Sequence, residues 1–154
     1  ASMEPEFSRK KISIELIADP DEPLYVYADP DRIDQVVINL LENARQFSPD
    51  GSSLQVHMKK TGDRAVIAVR DFGVGIKPQD LPHIWERFYK VNKARSRMSG
   101  TGIGLAIVKY ILDLHGMPVK AESEPGKGSI FTFELPLANE INEDAGKIHK
   151  GQKE

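Results

Sequence analysis

The chain has 154 residues, of which 40% are hydrophobic and 29% are charged, a composition typical of a globular domain with one core. Its formal net charge of −2 provides no general attraction to nucleic acid, and the absence of cysteine excludes disulfides and thiolate metal sites. No apolar run reaches the roughly 18–20 residues needed to span a bilayer, so we expect a chain that binds no nucleic acid and is not itself inserted in a membrane.

The two ends of the chain lack hydrophobic periodicity. We interpret residues 1–9 as a vector remnant or a frayed start, and residues 138–154 as a polar, flexible tail. The predicted fold therefore occupies residues 10–137 as a single domain.

The first half of this domain predicts a strand, an amphipathic helix and a hairpin, in that order. A short strand is expected at residues 11–17. Apolar side chains then recur at helical spacing from Ile33 to Ala44, which indicates a helix with one buried face. Alternating apolar residues on either side of a turn at residues 61–63 predict a β-hairpin.

The second half predicts a short helical piece, a second long helix and a closing hairpin. The short piece is expected at residues 81–88, and the long helix at about residues 103–114. Because the long helix is apolar almost all round, we expect it to be deeply buried. The helices and hairpins do not alternate as βαβ units, so the expected fold class is α+β, a two-layer sandwich with helices on one face of a sheet.

Glycine occupies every second position in the segment GTGIG at residues 100–104, directly before the second helix. Glycine allows close approach of backbone N–H groups, and a helix N-terminus carries unpaired N–H groups and partial positive charge. Together these favour a phosphate, although a glycine-rich turn that caps the helix explains the pattern about equally well. Neither the lysine of a P-loop nor the third glycine of a dinucleotide fingerprint is present.

Amide side chains flank the apolar stripe of the first helix. Asn39, Asn43 and Gln46 fall within an arc of about 60° at roughly 100° per residue. One such amide is usually a surface residue, whereas two of them four residues apart favour a site. The carbonyl oxygen of Asn is a hard ligand suited to Mg²⁺.

Asp71 ends the second strand of the predicted hairpin, within the segment DFGVG at residues 71–75. A carboxylate at this strand end can accept a hydrogen bond from an exocyclic amine, with Gly73 and Gly75 admitting a flat ring. The alternative is a turn in which Asp71 bonds nearby backbone N–H groups.

Five segments closely resemble, in order, the N, G1, F, G2 and G3 boxes of the catalytic ATP-binding domain of bacterial sensor histidine kinases. They are NLLENA (39–44), DFGVGI (71–76), WERFY (85–89), GTGIGL (100–105) and GKGS (126–129). The resemblance covers residues 10–137. It implies the Bergerat (GHKL) ATP-binding fold shared with gyrase, Hsp90 and MutL, an α/β sandwich with a mixed, mainly antiparallel sheet.

The resemblance also implies roles for individual residues. Asn43 would coordinate Mg²⁺ between the phosphates, Asn39 would lie beside the phosphates, and Asp71 would receive the adenine amino group. The catalytic residues would be Asn39 and Asn43. The residues expected to bind ATP are Asn39, Asn43, Gln46, Phe47, Asp71, Gly73, Gly75, Ile76, Phe88, Tyr89, Lys90, Arg97, Gly100, Thr101, Gly102, Ile103, Gly104 and Leu105.

By the same resemblance, residues 90–99 would form an ATP lid hinged by the glycines that follow. The basic residues of this segment are available to the triphosphate, but a solvated loop explains them equally well. Phe88 is expected either to anchor the lid or to act only as a hydrophobic staple. Gln46 departs from the family pattern, which usually has a Lys there, and a neutral amide cannot supply that charge.

The implied function is to bind Mg-ATP and donate its γ-phosphate to a histidine on a separate dimerisation domain, for relay to a response regulator. None of the four histidines has the family's acceptor neighbourhood, so the acceptor is expected elsewhere in the parent kinase. That parent is expected to be a homodimeric sensor in the inner or plasma membrane, with this domain in the cytoplasm.

Three alternatives remain open at this point. A GHKL ATPase is disfavoured because Asn39 stands where such enzymes carry a Glu that activates water. A serine kinase of the anti-sigma-factor type shares the boxes but has a differently elaborated lid. A scaffold that no longer binds ATP is disfavoured by the intact Asn43, Asp71 and glycine segments.

Overall fold

The computed structural model describes residues 11–19, 21–89 and 102–138. Within them, the strands and helices follow the order predicted from the sequence. The elements are β1 (Ser13–Ile17), α1 (Pro30–Gln46), β2 (Ser53–Thr61), β3 (Arg64–Asp71), a 3₁₀ turn (Leu81–His83), α2 (Gly104–Leu114), β4 (Val119–Glu124) and β5 (Gly128–Pro136).

The five strands form one mixed sheet in the order β1-β2-β3-β5-β4. β1 runs parallel to β2, and the other neighbouring pairs are antiparallel. The alternation along β3 is regular, with Ala65, Ile67, Val69 and Asp71 buried and the residues between them half-buried. The α+β class and the mixed, mainly antiparallel sheet are therefore confirmed.

Local capping explains where α1 begins. The Asp29 carboxylate accepts hydrogen bonds from the N–H groups of Asp31 and Arg32, and Pro30 occupies the first turn, where no N–H is needed. The apolar face of α1 contributes Val36 and Leu40 to the core. The amides discussed below lie half-buried along one edge of this apolar face.

The second helix differs from its sequence prediction. Val108, Ile111 and Leu112 of α2 are buried, but Tyr110 is 61% and Leu114 is 63% exposed. The prediction of deep burial all round is wrong, because a helix in a two-layer sandwich has only one face against the sheet. Among the described residues, both helices also carry exposed side chains on the side away from the core.

The prediction of a short helix before α2 is also corrected. The helical piece expected at residues 81–88 is limited to the 3₁₀ turn, because 3₁₀ hydrogen-bond geometry seldom sustains more than three or four residues. In the described part of the chain, no helix is long and apolar enough to cross a membrane.

Candidate functional site

Asp71 is the last residue of β3 and is only 2% exposed. One carboxylate oxygen accepts the Gly73 N–H at 2.9 Å, which is the local turn expected of an aspartate at a strand end. Burial raises the pKa of Asp71, while hydrogen bonds from the backbone of Gly73 and Ser129 and the charge of Arg70 act in the opposite direction. The site thus contains a desolvated acceptor that the fold holds in one orientation.

The glycines after Asp71 are required by close backbone packing. A Cβ at Gly73 would lie 2.7 Å from the carbonyl carbon of Phe47 and closer still to its oxygen. A Cβ at Gly75, where φ is +76°, would overlap the carbonyl of Glu124 in the same way. Backbone thus occupies the Cβ position of both glycines, which explains why glycine stands there, and their contact with a flat ring stays a prediction.

This loop is fixed from two sides. The carbonyl oxygen of Phe47, at the end of α1, accepts the Val74 N–H at 3.2 Å. On the other side, the Val74 carbonyl accepts the Gly126 N–H at 2.8 Å, from the turn between β4 and β5. The loop that follows Asp71 is therefore held between α1 and the β4–β5 hairpin.

Ser123, which is not among the residues predicted from the sequence, adds a third connection to this loop. Its hydroxyl oxygen accepts the Ile76 N–H at 2.7 Å, and it lies 2.7 Å from the hydroxyl of Ser129. Ser129 is buried at 5% exposure, and Ile76 is buried at 4%. Only strand pairing reveals the role of Ser123, since serine in a strand gives no signal of its own.

α1 also contacts the start of α2. The amide nitrogen of Asn39 donates to the Gly104 carbonyl at 3.2 Å. Phe47, the residue that caps the C-terminal end of α1, contacts the loop after Asp71. The structure thus brings the amide flank of α1 together with both glycine-containing segments.

Asn43 lies between Asn39 and Phe47 along α1. Its side chain is half-buried, and among the described residues it makes no hydrogen bond. The Asn43 amide oxygen is therefore available to a ligand or a cation. Gln46 is also half-buried on this flank.

The described part of the glycine segment begins at Gly102, whose φ is +81°. Its carbonyl accepts the Phe88 N–H at 2.8 Å, which joins the two ends of the intervening segment. Ile103 caps α2 without a side-chain bond, and Leu105 packs against the core. Four predicted site residues lie outside the described residues: Lys90, Arg97, Gly100 and Thr101.

Phe88 and Tyr89 differ in their surroundings. Phe88 is 66% exposed with φ at +65°, and its two expected roles, lid anchor or hydrophobic staple, stay predictions. The Tyr89 hydroxyl instead donates to Asp80, and this hydrogen bond raises the pKa of Tyr89. The Tyr89 ring also stacks on His83 with centroids 5.3 Å apart. Tyr89 is therefore held through both its hydroxyl and its ring.

These groups fit a magnesium nucleotide. Asp71 offers a buried acceptor, Asn43 offers an amide oxygen with no hydrogen bond to the residues that the structure describes, and Gly104 begins a helix whose first N–H groups favour an anion. The described residues contain no cluster of three or more histidine or acidic side chains that could hold a metal ion alone. A cation at Asn43 would therefore need ligands from the phosphates and from water, as Mg²⁺ commonly does.

Comparisons with known proteins identify the family of this domain. Residues 28–139 match the family described as histidine kinase-, DNA gyrase B- and HSP90-like ATPase. The chain is 41% identical over 128 residues to the sensor histidine kinase WalK of Bacillus subtilis, matching 81% of this chain and 21% of that protein. It is 38% identical over 143 residues to the sensor-like histidine kinase SenX3 of Mycobacterium bovis, matching 89% of this chain and 35% of that protein. The chain thus spans between a fifth and about a third of these relatives.

Solved structures of histidine kinases also resemble the fold of this chain. The mycobacterial sensor histidine kinase MprB has a TM-score of 0.75 at 31% identity, covering 88% of this chain and 91% of that one. Full-length ShkA in complex with AMPPNP has a TM-score of 0.75 at 30% identity, covering 90% of this chain and 28% of that one. ThkA in complex with the response regulator TrrA has a TM-score of 0.71 at 26% identity, covering 92% of this chain and 39% of that one.

Proposed function

We propose that this chain, which belongs to the family of histidine kinase-, DNA gyrase B- and HSP90-like ATPases, binds Mg-ATP. Since its relatives are sensor histidine kinases, we further propose that it donates the γ-phosphate to a histidine on a separate domain. The phosphoryl group would then pass to a response regulator. In this proposal, residues 10–137 are the catalytic domain of a longer kinase, and the sequences on either side are peripheral to it.

The observation that carries this proposal is the pair of contacts made by α1. Near its C-terminal end the helix contacts the loop of the buried carboxylate Asp71, and at Asn39 it contacts the first residue of α2. The stretch from Asn39 to Phe47 spans roughly 12 Å of helix. Adenine at Asp71 and phosphates at the start of α2 would occupy the two ends of this face.

The roles of the side chains follow from their chemistry. Asp71 would accept the adenine amino group, Asn43 would hold Mg²⁺ through its amide oxygen, and Asn39 would position the start of α2 beside the phosphates. Magnesium, when bound, neutralises charge on the phosphates. Phosphoryl transfer then depends mainly on positioning and charge stabilisation.

The histidines that the structure describes support an acceptor outside this chain. His115 is engaged through both ring nitrogens, with Nε2 accepting the Asp29 N–H and Nδ1 donating to the Ile111 carbonyl. His83 contacts Glu86, and His57 contacts Gln55. The fourth, His149, lies outside the described residues. We propose that the acceptor belongs to the dimerisation domain of a homodimeric membrane sensor.

A response regulator is the partner proposed for the parent kinase. ThkA, whose catalytic domain shares this fold, was solved with the response regulator TrrA. ShkA was solved with AMPPNP, an analogue of ATP, which supports nucleotide binding by this domain.

We expect the purified chain to bind Mg-ATP with little turnover and without labelling itself. Asn39 replaces the water-activating Glu of GHKL ATPases, and none of the histidine neighbourhoods matches the family's acceptor motif. Calorimetry with Mg-ATP and Mg-ADP, followed by incubation with γ-labelled ATP, measures both properties. Absence of binding contradicts the proposal, and rapid phosphate release or self-labelling favours the ATPase or serine kinase alternatives.

Gly102→Ala is expected to weaken Mg-ATP binding by about tenfold or more while the domain stays folded. The added Cβ penalises the φ of +81° and obstructs close approach of a phosphate to the backbone. Melting temperature and Mg-ATP affinity should be measured on the same protein.

Gly116→Ala is the matched control, since Gly116 has φ +67° at the other end of α2 and a Cβ added there would meet no atom within 4 Å. Gly116→Ala should lower the melting temperature about as much as Gly102→Ala does, without changing the affinity for Mg-ATP. Equal affinities of the two variants for Mg-ATP would show that the glycine segment is only a structural turn.

A further inference from the structure

Three polar side chains form a row across the sheet at the candidate site. In the pairing of β3 with β5, Asp71 lies opposite Ser129, and in the pairing of β5 with β4, Ser129 lies opposite Ser123. Residues directly opposite each other on neighbouring strands project to the same face, with Cβ atoms roughly 4.5–5.5 Å apart. The three side chains therefore lie side by side on the face that the helices cover.

The Ser123 hydroxyl has three neighbours and a single proton. It accepts the Ile76 N–H at 2.7 Å, it lies 3.0 Å from the Gly128 carbonyl, and it lies 2.7 Å from the Ser129 hydroxyl. A carbonyl can only accept, so the Ser123 proton must point to Gly128 if that bond is made. The proton between the two serines then has to come from Ser129.

Only this assignment satisfies all three contacts at once. It consumes the single proton of Ser129, so the Ser129 oxygen can offer only lone pairs to a ligand. Beside it, the Asp71 carboxylate is also an acceptor. The row thus presents two acceptors, which suit an exocyclic amino group and disfavour a keto oxygen at the same position.

We propose that Ser123 is a positioning residue that orients the Ser129 hydroxyl and thereby makes the pocket selective for a 6-amino purine over a 6-keto purine. The inference rests on the proposed ATP site and deepens it, since it adds the Ser129 oxygen, oriented by Ser123, as a second acceptor beside Asp71. Ser123 itself need not touch the base. Its bond to the Ile76 N–H also holds the end of the loop that follows Asp71.

The test compares ATP with ITP, which carries a keto oxygen where ATP carries the amino group. Calorimetry on the complete chain gives the ratio of the two affinities for the unmodified protein and for Ser123→Ala, Ser123→Thr and Ser52→Ala. Ser52 is the matched control, because its hydroxyl also donates to a backbone carbonyl but lies in the turn before β2. Thermal unfolding of each variant is measured alongside.

In Ser123→Ala the Ser129 proton is released and can meet a keto oxygen, so the preference for ATP over ITP should fall by about tenfold. Ser123→Thr keeps the hydroxyl and should retain the preference, as should Ser52→Ala. A fall of equal size in both affinities, or an unchanged ratio, overturns the inference, because a purely structural role would not alter selectivity.

Two further outcomes keep the conclusions separate. If Ser123→Ala does not fold, Ser129→Ala removes the acceptor while Ser123 keeps its bonds to Ile76 and Gly128, and an unchanged ratio there overturns the inference. An unmodified chain that binds Mg-ATP without preference over Mg-ITP overturns the inference alone. An unmodified chain that binds neither nucleotide overturns the proposed function and the inference together.

Discussion

Asp71→Asn is expected to weaken Mg-ATP binding by about 10- to 150-fold while leaving the domain folded. The amide has the shape of the carboxylate, and its oxygen can still accept the Gly73 N–H. Its NH₂ group, however, replaces the second acceptor with a donor that would face the adenine amino group. Calorimetry on the two proteins gives the ratio of affinities directly.

Asp63→Asn is the control for this prediction, because it removes the same charge as Asp71→Asn. The Asp63 side chain is 98% exposed in the β2–β3 turn. The Asp63→Asn protein should bind Mg-ATP as the unmodified chain does. An Asp71→Asn protein with unchanged affinity would remove Asp71 from the site.

The Asp71→Asn variant should also be at least as stable as the unmodified protein at neutral pH. Because burial raises the pKa of Asp71 above its ordinary value of 3.8, the folded state favours the protonated carboxyl. This contribution to stability is present below pH 3.8 and is lost as the pH rises through the raised pKa. Denaturant unfolding at several pH values should therefore show the unmodified chain losing stability relative to Asp71→Asn across that window.

A stability gain on removing Asp71 would have a functional meaning. A buried carboxylate that costs the domain stability is retained for what it binds, whereas the turn it makes with Gly73 would be served equally well by Asn. The turn and the ligand role are thus separable by this one substitution.

The elements with a clear period were predictable from the sequence. Alternation along β3 and helical spacing along α1 each identify one buried face, because a side chain's direction is fixed by its position in the repeat. The amide flank of α1 followed from the same geometry, so Asn39 and Asn43 could be singled out before the fold was known.

Contacts between distant segments were not predictable in this way. Glycine at positions 73 and 75 indicates an unusual backbone, but the sequence does not say that the carbonyls of Phe47 and Glu124 fill the space beside them. Ser123 gave no signal at all, since its role depends on the pairing of β4 with β5. The deep burial expected of α2 failed for a related reason, because composition does not reveal how many layers cover a helix.

Gly75→Ala is expected to cost the domain about 2–5 kcal/mol of unfolding free energy, from the left-handed backbone and from overpacking together. Gly75 has φ +76°, and its Cβ would lie 2.9 Å from the Cα of Pro125 and closer still to the Glu124 carbonyl. All of these atoms belong to backbone, so no side chain can move aside. For a chain of this length, the expected fall in melting temperature is roughly 4–20 °C.

Substitutions at two other glycines separate the backbone penalty from the overpacking. Gly62 has φ +62°, but a Cβ added there would meet no atom within 4 Å, so Gly62→Ala should show only the backbone penalty. Gly73 has no such φ but would overlap Phe47, so Gly73→Ala should show the effect of overlap alone. If Gly75→Ala were no more destabilising than Gly62→Ala, close packing of the loop on the β4–β5 turn would not be what fixes Asp71, and the rigid pocket inferred from these contacts would have to be abandoned.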